Sequence, residues 1–352
     1  MNLHTFTLPE LVVMLTVALE VVIVIVAIIG LLVLRRRAIR RERLYDQARD
    51  ELSSLVELFG TNEEQAAQDR ALAVVRRLNR DSGRRLLVEI GEFLTLEHVK
   101  PLVVVFTRCG FDEDARADAG KRPWERLRVV REARALGDPA GLLSQLLDDD
   151  KPDVKLGVFE ALCAVGRPEQ GIGALDFVAT YGRLARMRVI DSLASSSPMP
   201  VDMLRQMAIS PVSEVRLIAV GALGRAGVSQ ALDAIIDAAT DTDVEVRIEA
   251  LRALKELGDL RALPVSIASL KDEFWEVRSA ACGVVGELGG DGAAQHLEPL
   301  LDDHAEWVRH NAALSLRECG PAGISALRQA SAEGNESAGS ALAEHRIVSE
   351  RA

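Results

Sequence analysis

A 31-residue period governs most of this chain. Val215-Arg216, Val246-Arg247, Val277-Arg278 and Val308-Arg309 stand 31 residues apart each time. Eight positions beyond each valine comes Leu223, Leu254, Val285 or Leu316, and twelve beyond comes Gly227, Gly258, Gly289 or Gly320. Val154-Lys155 with Leu162 and Gly166 fits the same frame, as does Ala185-Arg186 with Leu193, where Ser197 takes the glycine slot. A degenerate unit around residues 124–137 precedes them. A spacing of eight keeps both apolar side chains on one helix face. The glycine is expected to end that helix in the left-handed conformation, after which a second helix runs to the next turn. One such pair cannot bury its apolar face alone, so the pairs must stack.

A second ladder runs in register. Asp149, Asp241, Asp272 and Asp303 each lie five residues before the repeat's valine, with Thr180 and Ser210 in the two weakest units. In the turn between paired helices these side chains can cap the second helix. They can also meet Arg186, Arg216, Arg247, Arg278 or Arg309 of their own or the next unit.

Composition agrees with an all-α chain: 48% hydrophobic residues but only 4% aromatic, too few for a sandwich or barrel. The net charge of -11 argues against a nucleic-acid partner, because phosphate backbones demand a positive surface. Four cysteines without a close pair make neither a disulfide framework nor a zinc ribbon.

Residues 272–278 (Asp-Glu-Phe-Trp-Glu-Val-Arg) and 258–264 (Gly-Asp-Leu-Arg-Ala-Leu-Pro) resemble the turns and helices of HEAT-like repeats. The closer likeness is to the short-helix type found in phycobilin lyases. The resemblance covers about residues 122–332 and implies a right-handed α-solenoid whose second helices line the concave face. It says little of function, since such arrays serve many unrelated partners.

The N-terminal third reads differently. Residues 11–34 form an apolar stretch interrupted by one charge, Glu20, and roughly 36 Å long as a helix. Six arginines follow between residues 35 and 43, and residues 1–10 carry no Lys or Arg. The expectation is a transmembrane helix with residues 1–10 outside and a cytoplasmic C-terminal array, hence a single-pass protein of the bacterial inner membrane. Glu20 near mid-bilayer is then either a protonated, tolerated acid or a contact with another membrane helix. Leu44, Ala48, Leu52, Leu55 and Phe59 make residues 35–60 a basic, amphipathic juxtamembrane helix stopped by Gly60, with a weak homo-oligomer seam as an option. Residues 61–121 read as a helical linking region or degenerate repeats, with residues 111–121 a linker. Residues 122–332 are the array and 333–352 a tail.

No enzyme emerges. The deoxyhypusine-hydroxylating enzymes related to HEAT-like proteins carry His-Glu pairs for two irons, whereas here Glu97-His98 and Glu344-His345 are reversed and isolated. Glu306 and His310 lie one helical turn apart near His304, yet no further ligand is fixed, so no metal or other cofactor is expected. Gly289, Gly290 and Gly292 occupy a turn slot with no Walker lysine behind them. Cys163, Cys282 and Cys319 read as small core fillers, and Trp275 and Trp307 as packed between units. The expected partner is a protein, held at Arg252, Lys255 and Arg317 beside bare helix at Gly221, Gly224, Gly283 and Gly286, with residues 11–34 and Glu20 engaging the bilayer and a polytopic envelope enzyme such as a glycosyltransferase. The alternative is a HEAT-like enzyme or bilin-lyase-type protein.

Overall fold

The computed structural model describes residues 8–349, with side chains from 19 to 344 except 174, 176, 177 and 179–181. The regular elements among the described residues are all helices, with no strand among them. They divide into two compact units, one of Met1–Asp118 with Ala135–Ala140, the other of Ala119–Arg134 with Gly141–Ala352.

The first unit contains α1 (Leu8–Val56), α2 (Glu64–Arg76), α3 (Arg80–Gly91), α4 (Leu96–Arg108) and most of α5 (Phe111–Ala119). Ala48, Leu52, Leu55 and Phe59 are buried as their spacing predicts, while Leu44 is exposed. They pack into the unit's own core with Leu72, Leu86, Leu102 and Phe106, so the proposed homo-oligomer seam is already spent inside the chain. The stretch expected to be a linker is the helix α5. Phe111 packs edge-on to Phe106 at 5.5 Å, and the buried Asp118 accepts a 2.6 Å bond from the buried Arg84. Two tertiary anchors thus override a composition poor in apolar residues. At Gly60 the backbone turns left-handed, and its N–H donates to Glu64.

Among the described residues no helix is long and apolar enough to cross a membrane. This overturns the anchor over residues 11–34, and with it the single-pass topology, the inner-membrane location and the lipid partner. Within α1 the described apolar run, residues 21–34, is closed by Glu20 and Arg35. At 1.5 Å per residue it extends about 21 Å, short of a hydrocarbon core of about 30 Å. Residues 1–7 and the side chains of 8–18 lie outside the described residues.

The second unit holds the array: α6 (Pro123–Leu136), α7 (Pro152–Ala164), α8 (Asp176–Ala194), α9 (Val201–Met207), α10 (Ser213–Arg225), α11 (Leu232–Ala238), α12 (Val244–Leu257), α13 (Leu263–Ser269), α14 (Trp275–Leu297), α15 (Glu306–Glu318), α16 (Pro321–Ala332) and α17 (Glu336–Ser349). The period's apolar positions form its core: Val154, Val246, Val277, Val308, Leu223, Leu254, Val285 and Leu316 are each fully buried. Short first helices (α9, α11, α13) alternate with longer second helices (α10, α12, α14), as the spacing predicts. Gly166, Gly227, Gly258 and Gly320 take positive φ at the helix ends. In the Val277 unit that role falls one residue later than expected. Gly290 carries φ 52° and breaks α14, while Gly289 continues the helix. The presumed C-terminal tail is also structured: α17 buries Ala338 and Ala341 in the same core.

Candidate functional site: the arginine ladder and the second-helix face

The turns carry a repeating three-way junction. Arg216 Nε and Nη2 donate to both carboxylate oxygens of Asp241 at 2.7 Å each. Arg278 grips Asp303 in the same way at 2.8 Å. In each case the arginine of one unit reaches the aspartate of the next. Its Nη1 meanwhile donates to a main-chain carbonyl of its own turn: Ser210 for Arg216, Asp241 for Arg247, Asp272 for Arg278 and Asp303 for Arg309, all at 2.8 Å. The aspartate also accepts the N–H two residues on, at Asp243, Phe274 or Ala305. It therefore braces the turn ahead of the second helix rather than capping the helix itself. In α12 the cap is Asp243, which accepts from Glu245.

Electrostatics follow this geometry. Burial alone would raise the Asp241 carboxyl, but the hydrogen bonds from Arg216 and the Asp243 N–H outweigh it and hold the group below the usual carboxylate range. Arg278 holds Asp303 low in the same sense, against burial. At the weak units the ladder changes chemistry. Asp149 pairs with Arg126 at 2.7 Å, and Arg186 uses Glu214 and Glu245 in place of a turn aspartate. The side chain of Thr180 lies outside the described residues.

The second-helix face separates the predicted partner-binding residues into two groups. Gly224 and Gly286 do not offer bare helix to a partner. A Cβ on Gly224 would lie 2.3 Å from Ala253 Cβ, and one on Gly286 2.5 Å from Ser315 Cβ. Both glycines instead let neighbouring helices of the array approach closely. Gly221 and Gly283 line open grooves, Gly283 with room for a Cβ and Gly221 with Ile190 Cδ1 2.9 Å and Glu249 Oε1 3.0 Å from where one would lie. The first, about 460 Å³, is lined by Met187, Ile190, Ile248, Arg183 and Arg252; the second, about 480 Å³, by Leu251, Trp275, Leu314, Lys255 and Glu318. Arg252 faces both, paired with Glu249 at 3.4 Å. Lys255 meets Glu287 at 3.5 Å and Arg317 meets Glu344 at 3.2 Å. Glu20 is exposed on α1 and belongs to the first unit.

Sequence reasoning missed a pattern here. The position six residues after the repeat's valine reads Gly221, Arg252, Gly283, Leu314, an alternation of small and large with a period of two repeats. That signal was present in the sequence and locates both grooves. Trp275 and Trp307 were expected between units, yet they are 41% and 64% exposed. Trp307 stands edge-on to His310 at 6.3 Å. Burial pushes the thiols of Cys163 and Cys282 up to about 12 and that of Cys319 to about 11, in keeping with core fillers.

The family model for HEAT repeats matches residues 201–265, 232–317 and 263–344, so this part of the chain carries HEAT repeats. No curated protein matches the chain. Among solved structures, human deoxyhypusine hydroxylase in complex with glycerol is 20% identical, with 77% of this chain and 96% of that chain covered and a TM-score of 0.33. The CpcE–CpcF complex of phycocyanin lyase from Nostoc sp. PCC7120 is 17% identical over 62% of this chain and 92% of that one, at TM-score 0.31. The karyopherin Kap121p, bound to the extreme C-terminus of the protein phosphatase Cdc14p, is 13% identical over 80% of this chain and 39% of that one, at 0.47. None of these likenesses carries function from one chain to the other.

Proposed function

We propose that the array is a protein-interaction scaffold, without catalytic activity of its own, that holds its partner along the second-helix face. The observation that supports this reading is the pair of grooves over Gly221 and Gly283, two repeats apart, on the face where Arg252, Lys255 and Trp275 are exposed. Apolar floors with charged rims suit a protein surface, which supplies an anchor side chain for each groove and polar groups for its edges. The recurring charges at Arg216, Arg247 and Arg278 are spent on the aspartates of the following turns, which leaves this face for recognition. An envelope glycosyltransferase as partner rested on the membrane anchor and falls with it.

Site-specific photo-crosslinking in the native cell tests the reading. A crosslinker at Lys255 or Glu287 should capture one recurring protein, and one at Arg261 on the first-helix side should not. Equal capture from both sides would refute it.

A further inference from the structure

The arginine ladder ends on an arginine with its carboxylate missing. Arg309 is held like its predecessors, with Nη1 donating to the carbonyls of Asp303 at 2.8 Å and His304 at 3.2 Å. Arg216, Arg247 and Arg278 have the same tether, and each spends Nε and Nη2 on the aspartate 25 residues ahead. For Arg309 that position is Gly334. Among the described residues no carboxylate meets the Arg309 fork.

The surroundings of Gly334 keep the register of the ladder. Asn335 Nδ2 donates to the Leu301 carbonyl at 2.9 Å, which seats this turn against the turn of Asp303. Asn335 Oδ1 accepts from Ala338 N–H and caps α17. Gly334 has φ 96°, and a Cβ placed on it would meet nothing within 4 Å. In the preceding turns the aspartate also accepts the N–H two residues on, as Asp303 does from Ala305. Here that donor is Glu336 N–H, the first residue of α17, whose N–H has no acceptor within its helix. By register, the three donors that meet Asp303 one repeat earlier have their counterparts in the Arg309 fork and the Glu336 N–H, with glycine in place of the aspartate.

We propose that Arg309 and the Gly334 turn form a docking site for an aspartate or glutamate side chain presented by a turn of the partner protein. The proposal rests on the scaffold reading but uses the end of the array rather than its grooved face. An arginine fork fixed by its own carbonyl contacts loses little freedom when a carboxylate arrives, and planar two-point recognition selects carboxylates over single-point acceptors. The occupant is the chemistry that fills this position three times inside the molecule, supplied from outside.

The test combines a mutational cycle with a binding probe. Gly334→Asp and Gly334→Asn differ in the carboxylate and slightly in their strain at positive φ, and the same pair in an Arg309→Gln background subtracts the strain. The Asp variant should be favoured over the Asn variant about five- to thirtyfold in its folding equilibrium, the range expected of a charge-assisted pair. That preference should vanish in an Arg309→Gln background. A synthetic peptide copying residues 299–313, which presents the Asp303 turn, should bind the full chain. Binding should weaken about tenfold when its aspartate is replaced by asparagine, or when the chain carries Arg309→Gln or Gly334→Asp. No Asp-over-Asn preference, or a peptide that fails to bind in the millimolar range or binds equally with asparagine, overturns the proposal. Failure of the Lys255 crosslink with success here would sink the grooved-face reading and leave this site standing.

Discussion

Arg247 crosses a repeat boundary to hold both carboxylate oxygens of Asp272, at 2.9 and 3.0 Å, while its third nitrogen stays bonded to the Asp241 carbonyl behind it. One side chain thus ties two consecutive turns, and the aspartate it holds stands in the turn where the next arginine, Arg278, is tethered. Arg247 also lies over the Phe274 ring at 5.5 Å. The junction is partly buried, with the two side chains 10% and 14% exposed, so solvent screens it less than a surface ion pair.

Arg247→Lys should therefore destabilise the array although it keeps the charge. Lysine offers a single ammonium and cannot serve two turns at once. The expected loss is about 1–3 kcal/mol, read from denaturant midpoints. Arg261→Lys, at an exposed pair with Asp259, is the control and should change stability by less than about 0.5 kcal/mol. Equal effects at both positions would show that the ladder adds nothing beyond its charge.

The ladder also fixes a direction for pH dependence. Asp241 and Asp303 sit below the usual carboxylate range in the folded chain. Their contribution is fully present above the unfolded value of about 3.9 and is lost as pH falls through the lower folded values. Stability should drop on acidification below about pH 4, and Asp303→Asn should flatten that drop. A variant that loses stability with the wild-type slope would mean Asp303 does not titrate in this way.

Leu254 tests the modular nature of the array. It is fully buried between α12 and its neighbours, and Leu254→Ala should cost about 2–5 kcal/mol. Because each unit contacts only its neighbours, hydrogen exchange should rise most in α10 to α14 and least in α7 and α17. A uniform rise across the second unit would indicate a single cooperative block.

The cysteines give a chemical check on the core. Cys163, Cys282 and Cys319 are buried, and their thiols are held far above neutral pH. A thiol-specific reagent at pH 8 should label the half-buried Cys109 first and the other three only on unfolding. Rapid labelling of Cys282 in the native chain would contradict its placement.

The array was legible because its physics is periodic. Val246, Leu254 and Gly258 sit where a 31-residue frame places them, and the Asp–Arg ladder was visible at fixed offsets before its direction was known. What escaped lacked that redundancy. Residues 111–119 are largely polar, and their helix is held by long-range contacts, those of Phe111, Asp114 and Asp118 among them. The apolar stretch after Leu11 offered length and hydropathy, but no span satisfies both among the described residues. The glycines misled for a related reason: missing side chains mark close approach, and the sequence does not say whether the approaching group belongs to the same chain.

That last ambiguity yields a sharp contrast between two glycines of the array. Gly224 and Gly283 have the same residue type on equivalent second helices, yet their surroundings differ. A Cβ at Gly224 falls 2.3 Å from Ala253 Cβ and 2.9 Å from its Cα, atoms of a packed helix that can yield only by moving α12. A Cβ at Gly283 first meets Lys255 Nζ at 3.5 Å, the tip of a flexible side chain at ordinary contact distance. Gly224→Ala should lose about 1–3 kcal/mol through overpacking. Gly283→Ala should gain up to about 1 kcal/mol, because alanine is the better helix former. The same Gly283→Ala change intrudes on the groove floor, so it should weaken partner capture from Lys255 while raising thermal stability. Denaturant unfolding of both variants, with crosslinking yield for Gly283→Ala, decides the matter. If the two substitutions cost the same, the separation of packing glycine from groove glycine is wrong.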